Sequence, residues 1–232
     1  MRVPVDAERP LKVIASIGST QDEAVRILHG QEPYGAVLAH EQTGGRGRHG
    51  RRWISRAGDS LAVSLIFRDY KDHPTPWLPG MAVAIAAAQA GAVRLRWPND
   101  LFWEGRKVGG ILTEVVDGVP IVGLGVNLNQ TAFPAEIADL ATSLLLASGG
   151  SFTLEGFFSR FLDKLASLPE PDAWSDLAPY WRPLDRTPGK IYRLPDGRET
   201  VAEGVDPAGR LVTEFEGEKL VVTVAEAIFG RA

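Results

Sequence analysis

The stretch from Val93 to Asn127 constrains the fold of this chain more than any other. Pro98 forces Trp97-Pro98-Asn99-Asp100 into a turn, and Glu104-Gly105 and Asp117-Gly118 supply two more tight connections. The runs between them, Val93–Arg96, Leu101–Trp103, Lys107–Val115 and Ile121–Asn127, therefore read as strands of an antiparallel meander. Two places in it are unusual: Gly109-Gly110, and the alternation Gly123-Leu124-Gly125. Glycine weakens a strand interior unless it marks a bulge or something must approach the backbone. A β-bulge and a bound ligand are the two explanations.

Around this meander the pattern alternates between strands and helices. Leu11–Ile17 reads as a first strand that Gly18 breaks. Thr20 with Glu23 matches a capping box for a helix whose buried stripe is Ala24, Ile27 and Leu28 and which Gly30 ends. Ala36–His40 and Leu61–Phe67 are strands, and Gly80–Ala90, rich in alanine and free of charge, is a buried helix. Leu154, Phe157, Phe158, Phe161, Leu162 and Leu165 recur at helical spacing behind Thr153 as N-cap, and Ala173–Trp181 is a shorter helix. From Leu184 onward short strands alternate with strong turns such as Asp206-Pro207-Ala208-Gly209, which suits a small SH3-like β-barrel. The expected class is α+β: a mixed, largely antiparallel sheet packed with helices over residues 1–184, and a small β domain over 185–232.

Chemistry concentrates in Gln42–Trp53, QTGGRGRHGRRW. Gly44, Gly45, Gly47 and Gly50 let main-chain amides approach a ligand, and Arg46, Arg48, Arg51 and Arg52 place guanidinium groups on that frame with no acid between them. Such a loop grips an anion, above all phosphate. The whole chain is slightly acidic, with a formal net charge of −4 over 232 residues, so the cluster is a local device and general adhesion to DNA or an anionic membrane is not expected. Without cysteine, disulfides, thiolate metal sites and a cysteine nucleophile are excluded. No signal-like start and no apolar run of membrane-spanning length is present, which suggests a cytoplasmic protein.

Ser19-Thr20-Gln21 at a helix start, the glycine–arginine loop and Lys107 in the glycine-bearing meander form one constellation. A cationic loop with a sheet-borne lysine suits adenylyl transfer, in which charge builds on α-phosphate oxygens. On the residues alone, a nucleic-acid or sulfate contact is as compatible with the loop.

Four ordered motifs carry a resemblance. QTGGRGRHGRRW resembles the signature of the biotin–protein ligases, with the core GRGRxGRxW. WPNDLFWEGRKVGGILTE and GLGVNLN are similar to that family's second and third motifs, and STQDEA to its opening serine–threonine motif. The resemblance implies a class II synthetase-like catalytic domain and a two-step reaction. Biotin attacks ATP, with Mg2+, to give biotinyl-5′-AMP, and a lysine of a biotin carboxyl carrier domain then takes the biotin. It implies biotin contacts at Ser19, Thr20, Gln21, Gln42, Gly45, Arg46, Lys107, Gly110, Ile111 and Leu112. It implies adenylate contacts at Arg46, Gly47, Arg48, Trp53, Asn99, Lys107 and Asn127, with catalytic roles for Lys107, Arg46, Arg48 and Asp100. Gln21, Gly44, Arg96 and Gly109 depart from the family's commoner residues.

Lipoate or octanoate ligation is the nearest alternative, and the arginine loop favours the biotin branch. A non-catalytic biotin or nucleotide-binding regulator is another. A DNA-reading repressor is not expected, because only Met1–Pro10 precede the first strand. A homodimer through a sheet edge is a further expectation.

Overall fold

The computed structural model of the protein describes residues 1–47, 52–194 and 196–222, with backbone only at Ile54 and Ser55. Among these residues twelve strands form two sheets. The larger has eight strands in the order β1-β2-β4-β8-β7-β6-β5, with β3 paired to β2. These are β1 (Leu11–Ile17), β2 (Ala36–Arg46), β3 (Arg52–Ser55), β4 (Ser60–Ile66), β5 (Arg94–Arg96), β6 (Asp100–Trp103), β7 (Arg106–Val116) and β8 (Val119–Asn127). Among the strand pairs of this sheet in the described residues, only β1–β2 is parallel. The meander from β5 to β8 is thus as expected.

Alternation along the strands gives the large sheet two different faces. Leu61, Val63, Leu65, Val122, Leu124 and Val126 point to one face, where they form the main core. That core includes helix α2 (Leu78–Gly91), α4 (Leu154–Ala166) and α5 (Trp174–Trp181). Helix α2 is apolar on all sides because it is buried on all sides, from Leu78 to Ala88. Thr153 caps α4 as expected, its hydroxyl accepting from the Gly156 amide at 3.2 Å. A short helix, α3 (Leu144–Ser148), was not anticipated. The opposite face is covered only in part, where α1 (Thr20–His29) packs Ala24 and Ile27 on Val37, Ile66 and Ile121. Among the described residues the rest of that face borders a cavity.

Two local expectations change. Ser19, not Thr20, is the N-cap of α1, and no side-chain cap bond forms. Glu23 instead meets Lys12 and Arg26, and the Thr20 hydroxyl turns to Gln42. Strand β2 also runs on past His40 to Arg46, because β3 folds back against it with Gly45 opposite Trp53 and Arg46 opposite Arg52. The first half of the glycine–arginine stretch is therefore a strand.

The second sheet, β12-β11-β10-β9, is antiparallel and comprises β9 (Ile191–Arg193), β10 (Glu199–Val205), β11 (Leu211–Phe215) and β12 (Glu218–Val222). Trp97, fully buried, joins it to the first. Its amide donates to Thr187 Oγ1 at 2.8 Å, its indole to Gly209 O at 3.0 Å, and its carbonyl accepts from the Tyr192 hydroxyl at 2.8 Å. Burial pushes the Tyr192 hydroxyl pKa up, so it stays a donor. Among the described residues no helix is long and apolar enough to cross a membrane.

Candidate functional site

A cavity of about 920 Å³ occupies the open face of the large sheet, beside the N-terminus of α1. Its floor is the glycine-bearing part of β7 and β8. Gly125 lies beneath the Trp53 indole, and a Cβ there would come within 2.5 Å of that ring. Gly123 makes room for Gln21, whose Oε1 would lie 2.9 Å from an added Cβ, and Gly110 makes room for the end of Lys107. Gly109 points the other way and is needed because β8 passes close, with Gly125 O 2.5 Å from a Cβ. The bulge explanation applies beside Gly109, where the register shifts between Leu101 and Phe102; Gly110, Gly123 and Gly125 instead clear space for the protein's own Lys107, Gln21 and Trp53 side chains.

At one end of the cavity a polar network joins three elements. Gln42 Oε1 on β2 accepts from the Thr20 amide at 2.7 Å and the Thr20 hydroxyl at 3.0 Å. The same hydroxyl lies 2.9 Å from Ser64 Oγ, which donates to Gln21 Oε1 at 2.9 Å. Gln21 Nε2 completes the chain on Ile121 O at 3.1 Å. The first amide of α1 is thus satisfied by Gln42, so this helix start is a preorganised set of donors and acceptors and not a bare anion hole. The parallel pairing that places Ile17 beside Gln42 brings these distant residues together.

Along the floor, Lys107 Nζ reaches Asp100 Oδ1 at 2.5 Å, with Asp100 buried at 5% exposure and Lys107 partly open to the cavity. Strand pairing sets this up: Asp100 sits opposite Gly110 and Phe102 opposite Lys107. The backbone of Lys107 is clamped by Leu140 O and by the Thr142 amide, at 2.7 and 2.8 Å. Asn99 is tied twice to Ile111, through its own carbonyl at 2.8 Å and its side-chain amide at 2.6 Å. Asn127 donates to Thr142 O at 3.0 Å. These bonds fix one ammonium and one carboxylate at a defined place above the glycines.

The mouth carries the arginine strand. Arg46 Nη2 pairs with Asp22 at 2.7 Å and lies 3.8 Å from Glu114. Exposed pairs of this kind are weak and exchange easily for a stronger anion. Gly47 also lines the cavity. Gly45 is buried under Trp53 and Gln42, where a Cβ would meet Trp53 O at 2.7 Å. Arg48, expected beside Arg46, lies outside the described residues.

The cavity therefore collects Ser19, Thr20, Gln21, Gln42, Arg46 and Gly47 with Trp53, Asn99, Asp100, Lys107, Gly110, Ile111, Leu112 and Asn127. Sequence reasoning missed Ser64, the apolar wall of Phe133, Ile137 and Leu140, and the cations Arg94, Arg186 and Lys190. Arg96 was singled out only as a departure from the family pattern, and it also lines the cavity. Alternation with Leu95 could have placed Arg94 on the same face as Arg96; nothing local marks the others. Among the described residues no group of three or more His, Cys, Asp or Glu side chains is arranged to hold a metal ion. Among the described residues that line the cavity, the carboxylates are Asp100 and Glu104, with Asp22 and Glu114 beside Arg46 at the mouth.

Residues 13–130 match the biotin/lipoate A/B protein ligase family. A biotin–[acetyl-CoA-carboxylase] ligase of Mycobacterium tuberculosis is 36% identical over 95% of this chain and 89% of its own length. One of Paracoccus denitrificans is 29% identical over 94% of this chain and 100% of its own. The structure of a biotin protein ligase from Aquifex aeolicus in complex with biotin and ATP is similar with a TM-score of 0.75 at 25% identity, covering 96% of this chain and 99% of that one.

Proposed function

The chain belongs to the biotin/lipoate A/B protein ligase family, and from that premise we propose that it is an ATP-dependent biotin–protein ligase acting on a biotin carboxyl carrier domain. The observation that carries this reading is the meeting of Lys107, Asp100, Arg46 and the Thr20–Gln42–Ser64 network in one glycine-floored cavity.

Biotin lies on the β7–β8 floor among the side chains that Gly110, Gly123 and Gly125 make room for, Lys107, Gln21 and Trp53. Its polar ring groups face Ser19, Thr20, Gln21 and Gln42, and Ile111 and Leu112 flank it. Its carboxylate is held at Lys107, whose charge offsets that of the carboxylate and the approaching α-phosphate. Arg46 leaves Asp22 and, with Gly45, Gly47 and Arg48, folds over the adenylate; Trp53, Asn99 and Asn127 bound the nucleotide side. Closing the site excludes water from the mixed anhydride. Asp100 positions Lys107 in the first step and accepts the proton of the attacking carrier lysine in the second, since that amine must be neutral to react. Magnesium travels with the triphosphate and supplies further charge neutralisation.

Residues 1–184 form the catalytic unit in this reading, and 185–232 an SH3-like unit joined to it through Trp97. Cytoplasmic location and pairing of two copies through the edge strand β1 belong to the same proposal, and specific DNA binding does not. The test is to incubate the pure protein with ATP, magnesium, biotin or lipoate, and an apo carrier domain, and to weigh the carrier. A gain of one biotinyl group is expected. No gain with biotin across several carriers, or a gain with lipoate alone, sinks the proposal.

A further inference from the structure

The cavity holds more positive charge than activation at Lys107 and Arg46 uses. At its β5 edge Arg94, Arg186 and Lys190 line the wall. None of the three forms an ion pair with a carboxylate among the described residues. Strand register places Arg94 on the reactive face: it sits opposite Phe102, which sits opposite Lys107. Directly opposed residues share a face, and two inter-strand spacings separate Arg94 from Lys107 by roughly 10 Å of backbone. Both side chains are long enough to hold one extended anion between them.

The other two cations come from the connection into the small sheet. The amide of Leu95 donates to Leu184 O at 2.9 Å and that of Arg186 to Leu95 O at 2.8 Å, so this connection runs alongside β5. Lys190 follows just before β9, its carbonyl accepting from the Ala202 amide at 2.9 Å. The Arg186 guanidinium touches only its neighbour's carbonyl, Asp185 O, at 2.8 Å among the described residues. Side chains of the inter-sheet segment thereby complete the wall of a cavity built on the large sheet.

We infer that Arg94, Arg186 and Lys190 form a second anion subsite, which takes the β- and γ-phosphates of the nucleoside triphosphate while Lys107 and Arg46 hold the α-phosphate. The inference rests on the ligase reading above. In the step concerned, a carboxylate oxygen of biotin bonds to the α-phosphorus. The bond from that phosphorus to the oxygen bridging to the β-phosphorus breaks, and its electron pair leaves with pyrophosphate. Negative charge grows on that leaving oxygen, and cations fixed beyond Lys107 stabilise it. Arg94, Arg186 and Lys190 are exposed at the rim, so the product has a direct way out. Their place on the cavity wall, on the face of Lys107, favours a polyphosphate over an acidic protein surface as occupant.

The experiment measures the two half-reactions separately on the full chain, with Arg94→Ala, Arg186→Ala and Lys190→Ala. Formation of biotinyl-AMP should show a KM for ATP raised about tenfold for each charge-assisted hydrogen bond removed, with inhibition by inorganic pyrophosphate weakened in parallel. Transfer from preformed biotinyl-AMP to an apo carrier domain should change less than about twofold, because it involves no pyrophosphate. Arg94→Lys should recover most of the loss. Because a folding defect lowers both half-reactions alike, the readout is their ratio, and equal losses in both overturn the subsite. So do an unchanged KM for ATP, and a loss confined to transfer, which would make these residues a carrier-docking surface. If the unaltered protein forms no biotinyl-AMP, the ligase reading fails before any variant is compared.

Discussion

The indole of Trp53 lies directly over Gly125, so close that a Cβ on Gly125 would come within 2.5 Å of the ring. The glycine of β8 is therefore a seat for a side chain delivered by β3. Gly125→Ala should push Trp53 into the cavity. Since the ring borders open space, the stability loss should fall at or below the low end of the ~1–3 kcal/mol typical of overpacking, while biotin affinity falls about tenfold or more. Calorimetric titration with biotin beside a thermal melt checks this. Retained affinity with a large loss of stability would mean that Trp53 is a core residue and not a wall of the site.

Lys107→Ala should reduce pyrophosphate release by about 10²-fold or more, the size of effect seen when one preorganised charge-stabilising group is removed. Lys107 is partly exposed at 37%, so the fold should survive. Asp100→Asn keeps the shape of the pair but removes its charge and should slow transfer to the carrier more than adenylation. An adenylation rate unchanged in Lys107→Ala would remove that residue from its role.

Arg46→Gly removes an exposed pair with Asp22, worth at most ~1 kcal/mol. The melting point should hardly move. Biotinyl-AMP, no longer enclosed, should escape into solution and label lysines on bystander proteins. The dwell time of the adenylate on the protein is the measurement, and a time equal to that of the unaltered protein would count against closure by this strand.

Tyr192→Phe deletes the hydroxyl that donates to Trp97 O and leaves a buried carbonyl without that partner. A loss of about 1–3 kcal/mol in unfolding free energy is expected. If the two sheets are joined through Trp97, denaturation should remain one cooperative transition. Two separate transitions would show that the junction lies elsewhere.

Glu23 supplies a pH signature. The Arg26 guanidinium, followed by the Lys12 ammonium, holds its carboxyl at about 2, below its ordinary 4.5. A depressed folded-state pKa contributes stability that is complete above the unfolded value and lost as pH falls through the folded one. Glu23→Gln should therefore melt below the unaltered protein at pH 7, with the gap closing between about pH 4.5 and pH 2. A gap independent of pH would show that shape, not charge, makes the difference.

Much of this molecule was legible locally. The turns at Pro98, Gly105 and Gly118 predict the meander, Thr153 predicts the start of α4, and a charge-free alanine run predicts α2, because each depends on neighbours within a few residues. The motifs that mark the site were legible as well, and among the described residues they do converge on one cavity. Two local rules failed for a common reason. The capping box at Thr20 and Glu23 lost to Gln42 and Lys12, and the loop after His40 became strand because β3 pairs with it. In both, a partner distant along the chain offered a better bond than the neighbour did.

By itself, then, the sequence determined most of the regular elements and the motifs that line the cavity, since propensity, turn chemistry and motif spacing are properties of short windows. The tertiary structure alone decided what those elements face. It made Gly123 and Gly125 the floor beneath Gln21 and Trp53, set Asp100 against Lys107, and brought Arg186 and Lys190 to the wall that Arg94 begins. Those relations depend on strand order and register, which are settled by long-range pairing and by burial of one sheet face beneath α2.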